Sequence, residues 1–94
     1  MFSLQVNFYA SLRKISGGKA VGFSLPEGST VQQLLEAVLT RYPEMRDKLL
    51  DQNGELDRHA HIIINGRNSP LLEQGLETSI SSEDSVSIFP IGHF

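Results

Sequence analysis

Hydrophobic and polar residues alternate with period two at the start of the chain. Phe2, Leu4, Val6 and Phe8 fall on one side, and Ser3, Gln5, Asn7 and Tyr9 on the other. That pattern predicts a strand with one buried face. A second alternating run, Val21, Phe23 and Leu25 against Gly22 and Ser24, follows Gly17-Gly18. Two such strands around a glycine-bearing connection predict an antiparallel hairpin. The connection, from Ala10 to about Lys19, is too long for a two-residue turn and reads as a loop.

The period then changes. Val31, Leu34, Leu35, Val38, Leu39 and Tyr42 recur at three- and four-residue spacing, the stripe of a helix with one buried face. Ser29 or Thr30 can cap it, and either choice places a glutamine three residues on, Gln32 or Gln33. Pro43 ends it, since the residue before a proline disfavours the helical region. Residues 44–50 predict one or two further helical turns anchored by Met45, Leu49 and Leu50. Turn chemistry follows at Asp51-Gln52-Asn53-Gly54.

Ile62-Ile63-Ile64 is a β-branched run, predicting a short strand buried on both faces. Asn65-Gly66 is a strong turn signal after it. Residues 69–75 read as irregular, with a helical turn at Leu71-Leu72, and Leu76 and Ile80 as plugs into the core. Val86 and Ile88 alternate with Ser85 and Ser87 in a last strand. The order is strand, strand, helix, strand, turn-rich segment, strand. If the terminal strands pair in parallel, the helix supplies the crossover. The expected fold is therefore α+β: a β-grasp, or ubiquitin-like, mixed sheet of four to five strands with one main helix across it. Residues 1–94 form one domain, with residues 90–94 as a short C-terminal tail.

Composition narrows the chemistry. With 94 residues and 39% apolar content, the chain supports one core and little room for a deep active site. Cysteine is absent, which removes disulfides, thiolate metal sites and cysteine nucleophiles. The formal net charge is -3, without the basic footprint of a nucleic-acid binder. The N-terminus lacks the pattern of a secretory signal, and no apolar run reaches membrane-spanning length. A cytoplasmic protein without nucleic-acid or membrane partners is expected.

Candidate catalytic residues are lacking. His59 and His61 are spaced to project to one side of a strand, but a metal site needs three or more converging ligands. No metal site and no bound cofactor are therefore expected, and the chain is not expected to be an enzyme. The unusual feature is Phe89-Pro90-Ile91-Gly92-His93-Phe94. By parity, Phe89 and Ile91 point away from the core. An apolar cluster beside a terminus predicts a docking surface made by Phe89, Pro90, Ile91, His93 and Phe94.

Taken in order, several segments resemble one family. Val6-Asn7-Phe8-Tyr9-Ala10-Ser11-Leu12-Arg13 is similar to its first strand and following corner. Thr30-Val31-Gln32-Gln33-Leu34-Leu35 and Tyr42-Pro43 resemble its helix start and end. Ile64-Asn65-Gly66-Arg67-Asn68, Gly75-Leu76-Glu77-Thr78 and Asp84-Ser85-Val86-Ser87-Ile88-Phe89-Pro90 match its later segments in order and spacing. The family is the molybdopterin-synthase small subunit and its relatives, the ubiquitin-like sulfur carriers.

The resemblance implies a carrier whose terminal glycine carboxylate is adenylated by an E1-like enzyme using ATP. It is then converted to a thiocarboxylate that donates sulfur, with the large subunit of a molybdopterin-synthase-type complex as partner. The family ends in Gly-Gly, whereas this sequence reads Ile91-Gly92-His93-Phe94. Gly92 is then the activation candidate, and a processing peptidase must remove His93-Phe94. The implied function is sulfur carriage in molybdenum- or tungsten-cofactor biosynthesis. The alternatives are a ubiquitin-like modifier, and a docking module that uses its Phe89–Phe94 end without carrying sulfur.

Overall fold

The computed structural model describes residues 1–68 and 74–93. Strand β1 (Phe2–Phe8) is followed by a short helix α1 (Leu12–Ser16), strand β2 (Ala20–Leu25) and the main helix α2 (Val31–Arg41). A 3-10 turn (Pro43–Met45) leads into α3 (Arg46–Leu49). Strands β3 (His61–Ile64) and β4 (Arg67–Asn68) come next, then a 3-10 turn (Gly75–Glu77), β5 (Val86–Phe89) and a final 3-10 turn (Ile91–His93).

The five strands form one mixed sheet in the order β2-β1-β5-β3-β4. β1 and β2 make an antiparallel hairpin, with Leu4 opposite Phe23 and Val6 opposite Val21. The first and last strands pair in parallel, Val6 beside Val86 and Phe8 beside Ile88. β3 runs antiparallel to β5, Ile62 beside Ile88 and Ile64 beside Val86. Parallel neighbours require a crossover, and α2 lies within it. This is the β-grasp architecture.

The alternation in the sequence decides which face is covered. Phe2, Leu4, Val6, Phe8, Phe23, Leu25, Ile62, Ile64, Val86 and Ile88 are all buried. They form one core with Val31, Leu34, Leu35, Val38 and Leu39 of α2. Phe8 sits at its centre, edge-on to Phe23 at 6.5 Å and to Tyr42 at 6.0 Å, a favoured aromatic geometry. The opposite face carries Ser3, Gln5 and Ser24, all exposed.

Thr30 is the cap of α2. Its hydroxyl accepts from the Gln33 backbone N–H at 3.3 Å, while the Gln33 side chain accepts from the Thr30 N–H at 2.9 Å. The neighbouring Ser29 hydroxyl turns back to donate to the Pro26 carbonyl at 2.7 Å. Asn65 and Gly66 both take positive φ, 52° and 86°, at the β3–β4 hairpin, as a tight twisted turn requires. The Asn65 side chain then donates to Asp84 at 2.9 Å and accepts from the Ser85 N–H at 2.8 Å. This ties the turn to the start of β5 and fixes where the last strand begins.

Three local expectations are corrected. The connection after β1 contains helix α1, closed by Gly17 at φ 80°, because Leu12 can bury completely against the core. Ile63 is half-buried, not enclosed on both faces, since none of the described elements packs across the sheet face opposite α2. Arg67–Asn68 forms a short strand that the polar composition concealed. Leu76 and Ile80 do pack at the core. The helical turn expected at Leu71-Leu72 lies outside the described residues. No helix among the described residues is long and apolar enough to cross a membrane.

Candidate functional site: the C-terminal edge

The end of β5 is flanked on both sides. On one side Tyr9, the residue after β1, donates its N–H to the Ile88 carbonyl at 3.2 Å. Its ring stacks on Phe89, with centroids 4.4 Å apart and planes within 10°. Arg13, from the first turn of α1, lies 5.0 Å from the centre of the Tyr9 ring and donates from Nε to the Phe8 carbonyl at 2.8 Å. On the other side His61, the first residue of β3, stands opposite Phe89 in the ladder. The strand end that launches the tail is thus held between an aromatic-cationic corner and an imidazole.

Pro90 closes the ladder, having no N–H to donate, and it is buried. Ile91 packs against the hydrophobic core. The expectation that Ile91 points away from the core and that Pro90 is open to a partner is therefore corrected. Parity fails because the strand stops at Phe89 and the chain bends. Phe89 does lie on the sheet face opposite α2, where it is half-buried and stacks on Tyr9. The exposed apolar cluster is reduced accordingly. The His93 side chain and Phe94 lie outside the described residues.

Gly92 is exposed, with φ 78° and ψ -9° inside the final turn. This left-handed conformation suits glycine, which has no Cβ to clash. As far as Gly92 the chain is therefore bent and held to the domain through Ile91, not extended. Gly92 lines a hollow of about 240 Å³ together with, among the described residues, Arg58, His59 and His61.

The two histidines have different surroundings there. His59 is largely exposed, and its Nδ1 lies 3.1 Å from Asp57 Oδ1, which also accepts the His59 backbone N–H at 2.7 Å. The backbone N–H of His59 is the main cause holding the Asp57 carboxyl below its ordinary value of 3.8. The His59 ring and the neighbouring Arg58 add to it, and partial burial works against it. His61 is half-buried, and its Nδ1 receives the Asn68 side-chain amide at 2.7 Å. Among the described residues, no three His, Cys, Asp or Glu side chains converge as a metal site would need.

The sequence profile of the ThiS family matches residues 6–92. The chain belongs to the ThiS family. The match stops at Gly92, so His93 and Phe94 stand beyond it. Within and around the ThiS family, the chain is 29% identical over 87 residues to small archaeal modifier protein 3 of Haloferax volcanii, covering 93% of this chain and 92% of that one. It is 41% identical over 64 residues to a putative sulfur carrier protein of Archaeoglobus fulgidus, covering 68% and 72%. Its fold is that of Haloferax volcanii small archaeal modifier protein 1, with a TM-score of 0.82, 21% identity, and 96% and 98% of the two chains covered. Proteins similar to this chain are thus named as a putative sulfur carrier and as small archaeal modifiers.

Phe89, Pro90, Ile91 and Gly92 follow one another at this edge, with Pro90 buried, Ile91 against the core and Gly92 exposed. The structure adds Tyr9, Arg13, Arg58, His59 and His61, which sequence reasoning did not place there. For Tyr9 and Arg13 the available signal was the parallel pairing of the terminal strands, which brings the end of β1 beside the end of β5.

Proposed function

We propose that this protein is a sulfur carrier whose working end is the carboxylate of Gly92. A peptidase cleaves the Gly92–His93 bond. An E1-like enzyme then activates the new terminus. A carboxylate oxygen attacks the α-phosphate of ATP and pyrophosphate leaves; hydrosulfide then attacks the acyl carbon and AMP leaves, giving a thiocarboxylate and a released proton. The acceptor is a molybdopterin-synthase-type large subunit in molybdenum- or tungsten-cofactor assembly, on the motifs quoted above.

The observation that carries this reading is the coincidence at Gly92. The family match ends there, and that residue is the exposed glycine just past the last strand. A side-chain-free residue is the one that can thread a narrow channel. Extension requires Ile91 to leave the core and Gly92 to leave its left-handed turn. Three residues beyond Phe89 then reach roughly 10 Å at about 3.3–3.6 Å per residue. A partner's active site must come that close to the end of β5, so the Tyr9–Phe89 stack becomes part of the interface.

A second reading shares the terminus: transfer of the activated Gly92 to a lysine amine. The likeness to an archaeal modifier over nearly the whole chain favours it.

An adenylation assay with a co-encoded E1-like enzyme tests both. Three proteins are compared: the 94-residue chain, the chain ended at Gly92, and that shorter chain carrying Gly92→Val. Pyrophosphate exchange is expected for the Gly92 chain alone, or more strongly than for the longer one, and is expected to be lost in the valine variant. No exchange with any of the three overturns the carrier and modifier readings together, leaving a docking module that uses its Phe89–Phe94 end.

A further inference from the structure

The hollow beside Gly92 has a composition that neither carriage nor modification explains. Among the described residues its walls are Arg58, His59, His61 and Gly92. Three potential cation donors surround the residue whose peptide bond is to be cut. The protein as a whole is acidic, with a net charge of -3, so this grouping runs against the general charge.

We propose that the hollow is a carboxylate-binding site for the chain's own terminus, with Arg58, His59 and His61 holding the Gly92 carboxylate against the domain between encounters with partners. The proposal rests on the reading that Gly92 becomes the terminus.

Three observations converge on it. Ile91, which remains after processing, packs against the core and places Gly92 at this wall. Asp57 fixes His59 through its backbone N–H and its ring nitrogen, which orients an imidazole that carries charge when protonated. Asn68 Oδ1 is buried without a hydrogen-bond partner, while the same amide's nitrogen faces His61 Nδ1. Rotation of that amide lets Oδ1 accept from Nδ1–H of a protonated His61. The pair can therefore hold His61 in either charge state, and a nearby carboxylate favours the charged one.

Arg58 and His59 are exposed, so the hold is weak, as exposed ion pairs are. Weakness suits a terminus that must be surrendered to an enzyme. Among the described residues, Asp57 faces His59, Asn68 and Phe89 lie beside His61, and Arg58 lies along the rim.

Histidine NMR titration reads the contact without any partner enzyme. The chain ended at Gly92 holds His59 and His61 as its histidines, so both are assigned simply. It is compared with the same chain carrying a C-terminal amide, which removes the charge and little else. At least one histidine is expected to titrate higher in the acid than in the amide form, by roughly 0.5 unit, the size of one opposite charge near contact distance in water. Arg58→Gln should keep the fold and loosen the tail, seen as a lower heteronuclear NOE at Gly92 in the acid form. Identical titration of both histidines in the acid and amide forms overturns the proposal. That result leaves adenylation of Gly92 untouched, and failed adenylation leaves the titration unchanged, so the two readings fail separately.

Discussion

Leu35→Ala tests the packing of α2 quantitatively. Leu35 is 2% exposed and Leu34 is fully buried, yet their surroundings differ. Leu35, with Leu39, also borders an open hollow of about 250 Å³ lined by Gln32, Glu36, Thr40, Arg46, Leu50 and Gly54. Truncation removes about three methylene equivalents at ~0.8 kcal/mol each, so the transfer contribution is about 2.4 kcal/mol. A closed cavity adds to this, and buried leucines reach about 5 kcal/mol when the site cannot collapse. At Leu35 the space opens to the hollow, so water can fill it. We therefore expect about 2–3 kcal/mol for Leu35→Ala and about 3–5 kcal/mol for Leu34→Ala. A domain of this size has about 5–14 kcal/mol in all, so both variants remain measurable by urea titration. A fall in midpoint at constant slope marks a pure stability change. A loss below about 0.5 kcal/mol for Leu35→Ala, the range of surface substitutions, would refute burial of this stripe. A cost for Leu35 above that for Leu34 would refute the role given to the hollow.

Thr30→Ala removes one half of the capping box and should cost about 1 kcal/mol by urea titration; an unchanged midpoint would show that Thr30 is not the cap. Asp57 has a depressed native pKa, so its stabilisation is present above about pH 4, its unfolded value, and is lost as pH falls through the lower native value. Asp57→Asn should accordingly narrow its stability gap from the native protein in urea titrations well below pH 3.8; an equal gap at pH 7 and at strongly acid pH contradicts the assignment. Zinc calorimetry should give nothing tighter than about micromolar, since among the described residues no third ligand joins His59 and His61; a nanomolar site lost in His61→Ala would overturn that.

The sheet was legible in the sequence because its core face is written in period two. Phe2 to Phe8 and Val86 to Ile88 carry that pattern without interruption, and α2 carries its own stripe from Val31 to Leu39. The capping residue was legible only as a choice between Ser29 and Thr30, because both hydroxyls have the right spacing. Pro26, three residues before Ser29, settles it by engaging the Ser29 hydroxyl. Helix α1 was hidden because five residues with one buried leucine give no periodicity to detect. The edge of the site was half-legible. Phe89 through Gly92 stood out as apolar residues at an unusual place, but the bend after Pro90 turns Ile91 inward, and alternation says nothing about a residue beyond the strand. Arg58 gave no signal, since an isolated arginine in a loop gains meaning only when Gly92 is folded beside it.

The account's central claim is that Gly92 becomes the working terminus and carries sulfur. Intact-mass measurement of the protein from its native cell tests this most directly. The predicted result is a species ending at Gly92, together with one heavier by the replacement of a single oxygen by sulfur. That second species should vanish when the E1-like enzyme is deleted. A population that retains His93 in every form and never gains sulfur would contradict the claim.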